Sequence, residues 1–204
     1  LQEVYVSESF LEKCSCREHL EEVGYEVVSD SVFSKISDTC TPQGVLCVLK
    51  QFHYNIEEML RDKAPLFLLL ENIQDPGNLG TMLRTGEGAG VSGIIMSRDT
   101  VDLYNPKVIR STMGSIYRVP FYYADDFAAA VHQVQQAGVS VYAAHLRGKN
   151  SYACQDYTKG TAFLIGNEGN GLREETAELA DCYIRIPMEG KVESLNAAVA
   201  SSIL

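Results

Sequence analysis

The run Pro65–Leu70, PLFLLL, has no polar side to turn toward water. A strand built from it must be covered on both faces, which happens when helices flank a sheet. The rest of the chain supplies those helices. From Pro65 onward, apolar runs at 66–70, 93–97, 117–121, 139–144, 161–166 and 182–186 alternate with helical patterns at 79–89, 105–113, 125–137, 172–180 and 194–204. Strands separated by helices of this length predict parallel β units with crossover connections. The expected fold class is therefore α/β with a mostly parallel sheet. Ligands of open sheets of this kind bind outside the carboxyl ends of the strands.

Residues 1–50 repeat the alternation in miniature. LQEVYVS predicts a strand, and FLEKCSCREHLEEVG predicts a helix closed by Gly24. YEVVSD, SDSVFSKISD and GVLCVLK then predict strand, helix and strand. Residues 51–64 are more polar and predict a connection to a larger unit over 65–204. A chain of 204 residues, 46% hydrophobic, is long enough for one full domain, or a medium one plus a small one. No run of eighteen apolar residues exists, so no membrane partner is expected. The chain begins LQEVYVSESF without methionine and stops at SSIL inside a helical pattern, so both ends are expected to be truncated.

The six cysteines are Cys14, Cys16, Cys40, Cys47, Cys154 and Cys182. Cys14 and Cys16 have the look of half a metal site, but no second pair stands at zinc spacing. The expectation is no metal and reduced thiols in a cytoplasmic protein. Net charge is −10 and unevenly spread. Residues 1–64 carry 6 basic and 12 acidic side chains, whereas in 84–118 the sign reverses, with Arg84, Arg98, Lys107, Arg110 and Arg118 against Glu87, Asp99 and Asp102. An acidic total opposes a nucleic-acid partner, and the basic stretch is where such a partner would have to be held.

Three segments place polar groups at strand ends. In Glu71–Arg84, ENIQDPGNLGTMLR, Pro76-Gly77 predicts the turn, Asn78 the helix N-cap, and Arg84 lies six residues on. In FLIGNEGNGL, Gly166 through Gly171 let backbone approach a ligand closely. Its spacing is neither a dinucleotide fingerprint nor a Walker loop. Glu168 stands among glycines and asparagines with no packing role to explain it. In IRIPMEGKVESLNAAVASSIL, Ser194 predicts an N-cap, while Asn196 is a mediocre helix former in the first turn.

Together, ENIQDPGNLGTMLRTGEGAG, LIGNEGNGL and IPMEGKVESLNAAVA resemble the three motifs of the SpoU family of RNA ribose 2′-O-methyltransferases, within the SPOUT superfamily. The resemblance spans about 65–204 in order and spacing. Residues 1–50 are similar to the small ribosomal-protein-like RNA-binding domain that precedes the catalytic domain in many members. The resemblance implies a C-terminal part threaded into a trefoil knot, a homodimer with the active site near its interface, and S-adenosylmethionine as cofactor. It implies that Gly166, Ile186 and Leu195 line the cofactor site, and that Asn78, Arg84, Glu168, Ser194 and Asn196 form the active centre. On this reading Arg84 pairs with RNA phosphate and the developing 2′-alkoxide, and Glu168 orients Arg84 or a neighbouring amide. Ribosomal RNA is favoured as substrate over transfer RNA because of the small first domain. A non-catalytic RNA-binding or assembly module and an unknotted flavodoxin-like binder are the readings from other classes. Glu189 and Lys191 depart from the small residues common in the third loop. Tyr104, Tyr122 and Tyr123 are candidates to stack on bases, with buried packing the favoured alternative.

Overall fold

A computed structural model describes residues 1–15 and 17–204, which divide into two compact units, Leu1–Phe52 and His53–Leu204. Cys16, part of the Cys14-x-Cys16 pair, lies outside the described residues. In the smaller unit the predicted order of elements appears as β1 (Glu3–Ser7), α1 (Glu8–Lys13), α2 (Arg17–Val23), β2 (Glu26–Val28), α3 (Asp30–Ile36) and β3 (Val45–Val48). Its sheet has the order β2-β1-β3, with β1 parallel to β2 and antiparallel to β3. The single helix expected over 10–24 is two. Ser7 caps α1 by accepting from Phe10 N, and α1 ends at Cys14, whose backbone is extended. Gly24, at φ 74, closes α2 through a bond from its N–H to Leu20 O, as its position predicts.

The larger unit contains α4 (Ile56–Met59), β4 (Leu66–Leu70), α5 (Pro76–Ala89), β5 (Gly93–Ser97), α6 (Pro106–Thr112), β6 (Phe121–Ala124), α7 (Phe127–Gln136), β7 (Ser140–Ala144), β8 (Asn150–Ser151), β9 (Thr161–Ile165), α8 (Glu174–Ala177), β10 (Cys182–Arg185) and α9 (Ala197–Ile203). The strands form one seven-stranded sheet in the order β6-β5-β4-β9-β7-β10-β8, and every pairing is parallel. β4 sits between β5 and β9, and Phe67, Leu69 and Leu70 are wholly buried, as an all-apolar strand requires. The connection expected at 51–64 is not free of the core: Ile56 and Met59 are buried in the same apolar cluster as Phe67 and Leu69. No helix among the described residues is long and apolar enough to cross a membrane.

Several boundaries differ from expectation. The strand expected at 117–121 lies at 121–124, behind a 3₁₀ turn at Ser115–Tyr117. Pro120 has no N–H to give to a ladder, so β6 begins after it, while its carbonyl accepts from Ile94 N at 3.0 Å. The helix expected at 172–180 shortens to the single turn of α8. The helix expected from residue 79 starts at Pro76, because Asp75 is the N-cap and accepts from Asn78 N at 2.8 Å. Proline suits the first helical position, where its missing N–H costs nothing. Asp75→Ala is expected to lower stability by about 1 kcal/mol, read as a fall in thermal midpoint; an unchanged midpoint would argue against the cap.

α5 packs closely on α6 because residue 80 is glycine. A Cβ there would fall 1.7 Å from Ser111 Oγ and 2.9 Å from Val108 O. Of the three tyrosines considered for stacking, Tyr123 is tied down by its hydroxyl, which donates to Val101 O at 2.7 Å and accepts from Leu103 N at 2.8 Å. Burial raises its pKa well above the ordinary phenol value. Tyr122 packs against the main core, and Tyr104 meets the Phe121 ring edge-on at 6.0 Å. Tyr122 and Tyr123 are both half-buried and both engaged by packing or hydrogen bonds within the chain.

Candidate active site

The loop after β4 and the loop after β9 hold each other. Glu168 extends its carboxylate to the first of them, accepting from Gln74 N at 3.1 Å, Asp75 N at 3.0 Å and the Asn78 amide at 3.0 Å. A carboxylate only accepts, so the Asn78 NH₂ group must face it. The Asn78 carbonyl is then turned to Asn196, whose side-chain NH₂ donates to it at 3.0 Å. Asn196 is fixed in turn, because its own carbonyl caps α9 by accepting from Ala198 N at 2.9 Å and Val199 N at 3.2 Å. Glu168, Asn78 and Asn196 thus form one oriented line across three segments of the chain.

This arrangement corrects two assignments. Asn78 is not the N-cap of its helix. Asp75 takes that role, which leaves the Asn78 side chain for the site. Ser194 is not the N-cap of α9, which starts at Ala197 with Asn196 as cap. Ser194 instead lies on the wall of the adjoining pocket. The Asp75-Pro76 pair is the sequence signal that would have placed the first cap correctly. Gln74 and Asn167, not singled out in advance, also help to bind the two loops. The Asn167 side chain donates to Asn72 O at 2.8 Å and accepts from Gly169 N and Asn170 N, while Gln74, bonded to Glu168 through its N–H, ties the first loop to the segment after β5 by donating from Nε2 to Asp99 O.

Glu168 is partly desolvated, which alone would raise its pKa. The Asn78 amide and the N–H groups of Asp75 and Gln74 outweigh this and hold it below the ordinary glutamate range. A carboxyl lowered on folding stabilises the fold fully above its unfolded pKa and loses that contribution as pH falls through the folded one. Acid unfolding of Glu168→Gln is therefore expected to depend less on pH in the window just below the ordinary glutamate value. Matching pH–stability curves for the two proteins would sink this account.

Beside the line, the carboxyl ends of β9, β7 and β10 open into a pocket of about 250 Å³. Its wall includes Ile165, Gly166, Ile184, Ile186 and Leu195, so the three expected cofactor residues are brought together. Gly166 is a close approach of backbone to backbone. A Cβ there would stand 2.2 Å from both Gly171 C and Leu172 N. The loop beyond it folds back on itself through paired bonds between Asn167 and Gly171, at 3.0 and 2.9 Å.

Arg84 is not brought into the line. It is exposed and, among the described residues, forms no hydrogen bond or ion pair. Six residues of helix separate it from Asn78, carrying it about 9 Å along the axis and roughly 240° around it. Glu168 therefore orients the Asn78 amide and not Arg84. Of the other cations in 84–118, Arg118 pairs with Glu87, and Arg98 lies 3.5 Å from Asp125. Arg118 and the Ser115 hydroxyl lower the Glu87 pKa to about 2. Lys107 and Arg110, like Arg84, form no ion pair among the described residues.

Comparison with known proteins bears on the same region. The sequence profile of the SpoU rRNA Methylase family matches residues 65–204. The 23S rRNA (guanosine(2553)-2′-O)-methyltransferase RlmP of Bacillus subtilis (strain 168) is 35% identical over 178 residues, which cover 87% of this chain and 69% of that protein. The AdoMet-bound rRNA methyltransferase from Sinorhizobium meliloti superposes with a TM-score of 0.81 at 32% identity, over 98% of this chain and 76% of that one. The SpoU methyltransferase AviRb from Streptomyces viridochromogenes shares the fold with a TM-score of 0.87 at 22% identity, over 100% of this chain and 79% of that one. With its glycine-cradled pocket and its interlocked polar loops inside the matched region, this chain belongs to the SpoU rRNA methylase family.

Proposed function

We propose that this chain is an S-adenosylmethionine-dependent methyltransferase acting on a ribose 2′-hydroxyl of ribosomal RNA. The observation that carries the reading is the adjacency of the Gly166 pocket and the Glu168–Asn78–Asn196 line at the carboxyl ends of the central strands. The residues present suit the cofactor. The absence of a side chain at Gly166 lets the backbone of Gly171 and Leu172 close against it and shape the pocket, and Ile165, Ile184, Ile186 and Leu195 offer apolar walls. Bound there, S-adenosylmethionine supplies an electrophilic methyl group on a sulfonium.

The chain's own residues would then hold the acceptor. Asn78 is a positioned amide locked between Asn196 and Glu168, which itself lines the pocket, and Ser194 adds a hydroxyl on the pocket wall. Such fixed geometry supplies several kcal/mol of barrier reduction, on the order of 7–11 kcal/mol in the best cases. Arg84 is a poor base, since a guanidinium offers only N–H donors and no acceptor. Its role is to pair with a phosphate and to stabilise the 2′-alkoxide as negative charge develops. Arg84, Lys107 and Arg110, unneutralised on the packed helices α5 and α6, are where RNA phosphate is held despite the net charge of −10.

Four further features belong to this reading. α9 leaves the end of β10 and packs on α5, on the far side of β9, which supports a threaded trefoil knot; a crystallographic chain trace tests it. Exposed Val199 and Ile203 on α9 support a homodimer, tested by sedimentation equilibrium. The small first unit is assigned to RNA binding and the protein to the cytoplasm. The deciding experiment maps 2′-O-methyl positions in ribosomal and transfer RNA from cells with and without the gene. Loss of a ribosomal position is expected. Loss confined to transfer RNA would move the substrate, and an unchanged map in both would overturn the reading.

A further inference from the structure

Among the described residues Glu71 is the one buried side chain that carries a charge, with 1% of its surface exposed. A buried carboxylate is costly unless its oxygens are satisfied, and the donors that satisfy this one come from a single place. Oε2 accepts from Arg173 N at 2.8 Å and Oε1 from the Thr176 hydroxyl at 2.5 Å. The Arg173 guanidinium stands 3.6 Å from Oε1 and is itself engaged by Asp99. Arg173 is the N-cap residue of α8 but makes no side-chain cap bond. The start of this helix is instead held from outside, by the residue that follows β4.

The same residue reaches the other end of the loop. Glu71 N donates to Ile165 O at 2.9 Å, extending the pairing of β4 with β9. Between Ile165 and Arg173 lie the residues 166–172 that line the pocket. One residue therefore fixes both ends of the cofactor loop, through its backbone at the strand and its carboxylate at the helix. We propose that Glu71 is a positioning residue for S-adenosylmethionine, holding the 166–172 loop in its binding shape without touching the ligand. The inference rests on the cofactor assignment made above.

Its test uses the full chain and two kinds of readout. Glu71→Met keeps an unbranched side chain but removes both acceptors. Glu71→Gln keeps one acceptor for Arg173 N and offers an NH₂ that the Thr176 hydroxyl can accept. By calorimetry, Glu71→Met is expected to bind S-adenosylmethionine about tenfold more weakly, as lost bonds to a charged acceptor imply, and Glu71→Gln to stay within about threefold of the parent. Hydrogen exchange without ligand is expected to speed up over 166–173 in Glu71→Met more than over the strands of the sheet, together with a lower thermal midpoint, since the Arg173 N–H and the Thr176 hydroxyl lose their acceptor. Equal affinity of parent and Glu71→Met, or equal weakening by Met and Gln, overturns the proposal. Should Glu71→Met not fold, Thr176 decides: Thr176→Val is expected to weaken binding severalfold and Thr176→Ser to restore it, and a Val variant that binds like the parent overturns it. The exchange arm needs no ligand. A parent protein that fails to bind S-adenosylmethionine while the exchange result holds therefore removes the cofactor assignment, and unchanged exchange removes the clamp.

Discussion

Gly166→Ala loses affinity for S-adenosylmethionine by on the order of 10- to 100-fold, the effect of forcing extra volume into a packed site. The new methyl would overlap the backbone of Gly171 and Leu172 at 2.2 Å. Backbone cannot rotate away as a side-chain tip can. Gly171 is already committed, being in the left-handed region at φ 70 and bonded both ways to Asn167. The loop must open, and the pocket wall with it. Calorimetric titration of the two proteins checks this, and an affinity within twofold of the parent would show that the cradle is not the cofactor site.

Arg84→Ala is expected to lower kcat/KM for RNA methylation by about 10²–10³, the range for removing one donor aimed at developing negative charge. Affinity for S-adenosylmethionine should not change, because Arg84 does not line the pocket. Arg84→Lys keeps the charge but loses the planar fork that engages phosphate and alkoxide together, so it too should fall at least about tenfold. A lysine variant that methylates at close to the parental rate would leave only a point charge at this position and remove the bidentate role.

The parts of this molecule legible in its sequence are those governed by local pattern. The all-apolar 66–70 reads as a strand buried on both faces, and the Gly24 stop and the alternation of strands and helices along the chain followed from spacing. Capping was less legible. Asn78 and Asp75 are both good caps on composition, as are Ser194 and Asn196, and each choice depends on where the chain enters its helix. In both cases a residue outside the helix decides: Glu168 takes the Asn78 side chain, and Asn78 occupies the Asn196 amide. Asn196, weak as an interior helix residue, becomes intelligible once it is seen to cap and donate at once. Glu71 was invisible for a similar reason, since its donors lie 102 and 105 residues away. Short-range rules end where a side chain is claimed by a distant segment.

The Asn78 amide has consequences for the order of assembly. Its two neighbours stand 90 and 118 residues further along the chain, among the most non-local pairings the protein makes. Contacts of such separation are slow to form, because loop closure must come before they stabilise anything. During synthesis the sheet's central strands can associate before Asn196 has left the ribosome, but the line through Asn78 cannot close. The polar line is thus completed only after residue 196 has emerged, well behind the strands that frame it.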